Sequence, residues 1–246
     1  MCFKPLCKDR MSVDKYIHLI KDVIMPLTQK TAQLLAQKTH ELETIQWTDG
    51  EANTDTEFSM LACKMCQEAW TLISPQYPSY FHLTLEAKHP DINLSFLEMG
   101  SPVKRGKIEL KSTKTKSGIM PGSTIGKLDM NQPVIFCLRN DTNKVFEFRY
   151  GQYYNCIGEN EYDMFQDRTP RPAVNFQKMT PIDTPLTYHE KEKGVWIPHY
   201  AKCALRRIQD PKCKSWQDDL TKNILHEYIS QTSVEDFVRA KEGQEH

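Results

Sequence analysis

Asp91, Glu109 and Lys111 are the residues whose types and spacing could do chemistry, because the sequence around them alternates as two β-strands joined by a Gly/Pro turn. In the first stretch Ile92, Leu94 and Phe96 alternate with Asp91, Asn93 and Ser95. In the second, Ile108 and Leu110 alternate with Lys107, Glu109, Lys111 and Thr113. Successive side chains on a strand point to opposite faces, so the apolar residues can share a buried face and Asp91, Glu109 and Lys111 the other. Two carboxylates and a lysine on one side of a hairpin form a constellation for metal-assisted hydrolysis.

With the turn centred near residue 101, paired residues sum to about 202, and Asp91 is expected to face Lys111, within two residues of Glu109. The two carboxylates can then approach within the span of one divalent cation. Mg²⁺ takes hard oxygen ligands and keeps several waters, so Asp91, Glu109 and the backbone carbonyl of Leu110 suffice together with water and a substrate phosphate. Such a site lowers the pKa of a bound water and offsets charge at a phosphate under attack. Lys111, one strand repeat from Glu109, can orient or polarise the attacking water.

Pro90-Asp91, then 17 intervening residues, then Glu109-Leu110-Lys111, resembles the PD-(D/E)XK nuclease superfamily, which includes most type II restriction endonucleases. The resemblance spans about residues 50–150 and includes the context: a helix before the sheet, Asp at the start of one strand, ExK in the next, and further strands after it. It implies that Asp91 and Glu109 ligate Mg²⁺ and that Lys111 assists the water. Many members add a glutamate from the helix before the sheet. Glu57, at that helix's start, is the preferred candidate, although it also fits a capping box; Glu68 is the alternative. The triplet alone is cheap, since Glu86-Ala87-Lys88 and Glu190-Lys191-Glu192-Lys193 also contain it. The alternating strand around Glu109 and the Pro-Asp start of its partner strand set it apart.

The implied activity is Mg²⁺-dependent hydrolysis of double-stranded DNA by a type II restriction-like endonuclease. Symmetric cutting of a duplex needs two sites, so a homodimer is expected. A local basic cluster, Lys104, Arg105, Lys107, Lys111, Lys114, Lys116 and Lys127, fits phosphate contacts beside such a site. It equally fits a solvated edge hairpin protected by lysines. Candidates for reading base edges are Arg168, Arg171, Asn175, Gln177, Lys178 and His199, because Arg suits guanine and Asn or Gln suits adenine. The alternatives are a repair or recombination nuclease, and a non-catalytic nucleic-acid-binding module on the same fold.

The elements that must position these residues read as an α/β (α+β) fold, a restriction-endonuclease-like core in which helices cover a mixed sheet. One domain over residues 1–246 is expected, with N-terminal helices in 12–74, a catalytic sheet core in 80–157, and recognition loops and closing helices in 158–246. Residues 12–46 carry helical periodicity that Pro26 breaks or restarts. Phe58, Leu61, Met65, Ala69 and Ile73 form a second helical stripe. Strands are expected over 80–86, the hairpin, 134–139 and 145–150, the last two joined by a turn at NDTNK. Scattered prolines in 158–200 predict loops and short strands, and 215–230 and 233–241 read as closing helices.

Lys+Arg and Asp+Glu are both 32, so a whole-chain electrostatic argument for nucleic acid fails and only a local patch can carry one. No apolar run is long enough for a spanning helix, and the start lacks a secretory core, so a cytoplasmic setting with reduced cysteines is expected. Cys63 and Cys66 form a CxxC inside a helical pattern without a second ligand pair at zinc spacing, and read as small buried hydrophobes.

Overall fold

Apolar residues at helical spacing dominate the start of the chain, and they form a helical layer over one face of a sheet. The computed structural model describes residues 17–47, 56–114, 117–123, 129–140, 142–165, 171–188 and 193–207. A helix entering at residue 17 widens into a π-turn at Ile20–Ile24 and continues as α1 (Met25–Ala36). The wide turn lies just before Pro26, which has no N–H to donate into the preceding turn and sits where a new helix can begin. A short α2 (Thr39–Thr44) follows, then α3 (Thr56–Ile73). Phe58, Ala62, Met65, Cys66, Ala69, Trp70 and Ile73 are buried along one side of α3, the stripe that the spacing predicts.

The described residues fall into two compact units interleaved along the sequence. The first gathers Met1–Lys116, Asn131–Tyr153 and Met179–Glu190; the second gathers Ser117–Met130, Tyr154–Lys178 and Lys191–His246. The chain leaves the first unit after the ExK strand and returns to it at Asn131.

The first unit holds a six-stranded mixed sheet: β1 (Thr84–Lys88), β2 (Ile92–Glu98), β3 (Ser101–Thr113), β5 (Pro133–Asn140), β6 (Val145–Gln152) and β8 (Thr180–Pro181), side by side in that order. All neighbours are antiparallel except β3 and β5, which run parallel. Ile92, Leu94, Phe96, Ile108 and Leu110 are buried together on the helix-covered face. Trp70 anchors α3 to this face: its indole N–H donates to the Leu83 carbonyl at 3.0 Å, and its ring meets Phe96 edge-on at 5.2 Å.

Three expectations are corrected. The first strand begins at Thr84, because Tyr80 and Phe81 both donate backbone N–H groups to Tyr77 and so continue the turn after α3. The hairpin turn is the two-residue pair Met99–Gly100, both at positive φ, the signature of a primed hairpin loop. With a one-residue shift between Phe96 and Leu97, this sets Ile92 opposite Ile108, two residues tighter than the predicted register. Asp91 therefore lies across from Glu109 rather than from Lys111.

The second unit has a two-stranded sheet, β4 (Ile119–Pro121) with β7 (Ala173–Asn175), and a helix at Lys193–Arg207. That helix corrects the loop reading of 158–200. Pro198 lies inside it, yet Trp196, Tyr200, Cys203 and Ala204 keep helical spacing and are buried. Phe165 packs edge-on against Tyr200 at 5.1 Å. The expected closing helices at 215–230 and 233–241 lie outside the described residues. Among those residues no helix is long and apolar enough to cross a membrane.

Candidate active site

Asp91 owes its position to the turn between β1 and β2. It adopts φ of 56°, a left-handed conformation that Asp tolerates better than most residues. The Asn93 side-chain amide donates to the Pro90 carbonyl at 2.6 Å and to the Lys88 carbonyl at 3.3 Å, fixing the turn. The Asp91 carboxylate then reaches over to β3, where Oδ1 accepts the Leu110 N–H at 3.0 Å. A strand residue's N–H and C=O point to the same side, so the Leu110 carbonyl shares the edge on which Asp91 sits. From α3, the Cys63 thiol donates to the Asp91 carbonyl at 3.5 Å.

Glu109 is the centre of the cluster. Its side chain is 5% exposed, against 18% for Asp91, 14% for Lys111 and 37% for Lys107. Lys111 Nζ lies 2.9 Å from Glu109 Oε1. Lys107 Nζ lies 3.0 Å from Glu109 Oε2 and 3.0 Å from Asp91 Oδ2, bridging the two carboxylates. The Gln132 amide, just before β5, donates to Glu109 Oε2 at 3.2 Å. The predicted meeting of Asp91, Glu109 and Lys111 is therefore present, with two further members. Lys107, expected to touch phosphate, is pinned between the acids. Gln132 sits in an irregular stretch whose sequence carries no periodic signal; only the parallel pairing of β3 with β5 brings it alongside.

Electrostatics hold Glu109 and Lys107 ionised. Burial works to raise the Glu109 pKa, but the ammoniums of Lys111 and Lys107 outweigh it through charge and hydrogen bonds and hold it down at about 2. Burial likewise works to lower the Lys107 pKa, and the charges of Glu109 and Asp91 overcome it, so the ammonium is held more firmly than usual. The CxxC thiols carry no charge here: burial and the Asp91 charge push Cys63 up to about 11, and burial pushes Cys66 up to about 12 against the opposing effect of its hydrogen bond with Thr31.

The other candidates are placed elsewhere. Glu57, in the first turn of α3, accepts the Gln46 backbone N–H at 3.0 Å, so its carboxylate ties the segment after α2 to α3. Glu68 is exposed. Thr54, the other half of the proposed capping box, lies outside the described residues, as do Lys116, Lys127 and Arg168. Lys104 sits over the Tyr80 ring at 4.0 Å, and Arg105 and Lys114 are exposed on β3 and just beyond it. In the second unit Arg171 is half-buried, Gln177 is exposed, and Asn175 accepts the Gln177 N–H at 2.9 Å.

Among the described residues no three His, Cys, Asp or Glu side chains gather as a metal-holding group. The oxygens that could take a small cation are those of the Asp91 and Glu109 carboxylates and the Leu110 carbonyl. Asp91 Oδ2 and Glu109 Oε2 each lie 3.0 Å from Lys107 Nζ and so are separated by twice that at most, about 6 Å. No protein-family model, no curated protein and no solved structure matches this chain.

Proposed function

We propose that the chain is a Mg²⁺-dependent endonuclease that hydrolyses phosphodiester bonds of double-stranded DNA, of the type II restriction kind acting at a short specific sequence. One observation carries this reading: the Asp91 and Glu109 carboxylates converge on a single cationic position, with the Lys111 ammonium 2.9 Å from Glu109. Asp91, Glu109 and the Leu110 carbonyl would hold Mg²⁺. When bound, the ion activates a water and offsets the charge that develops on the phosphate. Lys111 fixes the Glu109 carboxylate through its ion pair and, at 14% exposure, can still donate to a water beside it. Lys104, Arg105 and Lys114 supply phosphate contacts, and Arg171, Asn175 and Gln177 are the described candidates for base edges. Two copies would cut the two strands, as a homodimer.

The test is incubation of the protein with plasmid DNA and MgCl₂, with EDTA and with Asp91→Ala as controls. Discrete fragments lost in both controls support the reading, and a smear without discrete fragments favours a repair or recombination nuclease instead.

A second reading has its own observation. Two lysines balance two carboxylates within the cluster, which is therefore complete as an ion-pair network without any metal. That favours a non-catalytic nucleic-acid-binding module on this fold. Intact plasmid at every metal concentration, with DNA still bound, is its expected result.

A further inference from the structure

We propose that Lys107 is a tethered internal cation: its ammonium holds the position between Asp91 and Glu109 until a divalent ion displaces it, and the displaced ammonium then turns to the substrate phosphate. This inference rests on the metal reading above and extends it to a residue outside the Asp–ExK pattern. Three observations carry it. Lys107 Nζ is 3.0 Å from one oxygen of each carboxylate, the place that an ion shared by those oxygens would take. Lys107 is the most exposed member, at 37%, so its four-carbon stem has solvent to swing into, while Lys111 at 14% does not. The other oxygens are engaged: Asp91 Oδ1 by the Leu110 N–H and Glu109 Oε1 by Lys111. A metal entering the pair therefore competes with Lys107 at both carboxylates, and with the Gln132 amide at Glu109 Oε2 alone.

The arrangement has a physical consequence. Without metal, two carboxylates facing one another across neighbouring strands would repel, and the ammonium neutralises them. With metal, the divalent ion and the ammonium repel one another at the same two oxygens, and that repulsion drives the ammonium out. A lysine that leaves stays within its own length, and the nearest anion is the phosphate that the metal also contacts.

The experiment measures Mn²⁺ binding by calorimetry, without DNA, to the wild-type chain and to Lys107→Met. Met keeps the apolar stem and removes the charge. About tenfold tighter binding by Lys107→Met is expected. Equal or weaker binding by the variant overturns the inference while leaving the metal reading in place. Binding by the variant alone overturns the inference and the metal reading together, since no divalent ion then displaces Lys107 in the wild-type chain. Binding by neither removes both. Should Lys107→Met fail to fold, the wild-type chain decides alone: acetylation of Lys107, followed by peptide mass spectrometry, is expected to quicken several-fold on adding Mn²⁺. An unchanged or slower rate under conditions where calorimetry shows Mn²⁺ bound overturns the inference.

Discussion

Asp91 and Leu110 are joined by a hydrogen bond in which the carboxylate Oδ1 accepts the backbone N–H at 3.0 Å. The carboxylate thereby satisfies a ladder donor on β3 just before β2 begins, and its second oxygen is left for Lys107. Structure and chemistry are thus mixed in one side chain. Asp91→Asn keeps an acceptor for Leu110 and removes the charge, so it should fold with little change in melting temperature while cutting falls by at least about 100-fold. Asp91→Ala should lose cutting equally and also cost about 1–3 kcal/mol in urea unfolding, because the Leu110 N–H loses its partner. Wild-type cutting by Asp91→Asn would remove Asp91 from the site.

Glu109 is expected to be more costly to replace. It is 5% exposed and faces two ammoniums and the Gln132 amide. Glu109→Ala leaves Lys111 with no neutralising partner in a half-buried setting, so a loss of about 3–5 kcal/mol is expected in denaturant melts. Glu109→Gln, which keeps an acceptor, should lose less. Neither variant should cut, and filter binding should find DNA affinity retained or raised, since negative charge has gone from beside the phosphate.

On the proposed nuclease reading, Lys111→Ala should separate water activation from metal binding. Its ammonium pairs with Glu109 Oε1 at 2.9 Å, whereas the Asp91 carboxylate is held by Lys107 and the Leu110 N–H. Plasmid cutting should be nearly lost, while Mn²⁺ still binds by calorimetry. Loss of metal binding together with cutting would make Lys111 a positioning residue for Glu109.

The alternation of Ile92, Leu94 and Phe96 against Ile108 and Leu110 was enough to place the hairpin and its buried face, because one apolar face on each strand leaves a single choice of side. The register was not legible to the residue. It depends on a two-residue turn and a bulge at Phe96, neither of which alters the alternation. The Asp91–Glu109 meeting was readable for the same reason that it tolerates such a slip: a shift by two keeps every side chain on its face. The sequence leaves Lys107 in the basic cluster as a phosphate contact, because the tip of a lysine is not fixed by strand parity. Gln132 was invisible because it enters through a strand pairing distant in sequence. Pro198 hid the helix at Lys193–Arg207, although Trp196, Tyr200 and Cys203 carried its period.

The hairpin turn offers a test of the corrected register that does not touch the site. Met99 is fully exposed at φ of 48°, followed by Gly100 at 83°. Asn adopts this left-handed conformation more readily than Met, and Asn-Gly is the preferred pair for a primed two-residue loop. Met99→Asn should therefore raise stability by about 0.4–1 kcal/mol, seen as a higher melting temperature with unchanged cutting. A loss of stability would mean that the turn lies elsewhere, and the two-residue correction to the register would fall with it.

Acid should unfold the protein through Glu109. Burial alone would raise its pKa, yet Lys111 and Lys107 hold it at about 2 in the folded state, below an ordinary value of 4.5. A carboxyl whose folded pKa is depressed binds its proton first in the unfolded chain. Its stabilisation is complete above pH 4.5 and is lost as the pH falls toward 2. A shift of that size corresponds to a change on the order of 3 kcal/mol across this window. Glu109→Gln removes the titrating group, so its unfolding free energy, lower at neutral pH, should flatten over the same range. Parallel acid limbs for the two proteins, measured by urea unfolding at each pH, would show that Glu109 is not held by its two lysines in solution.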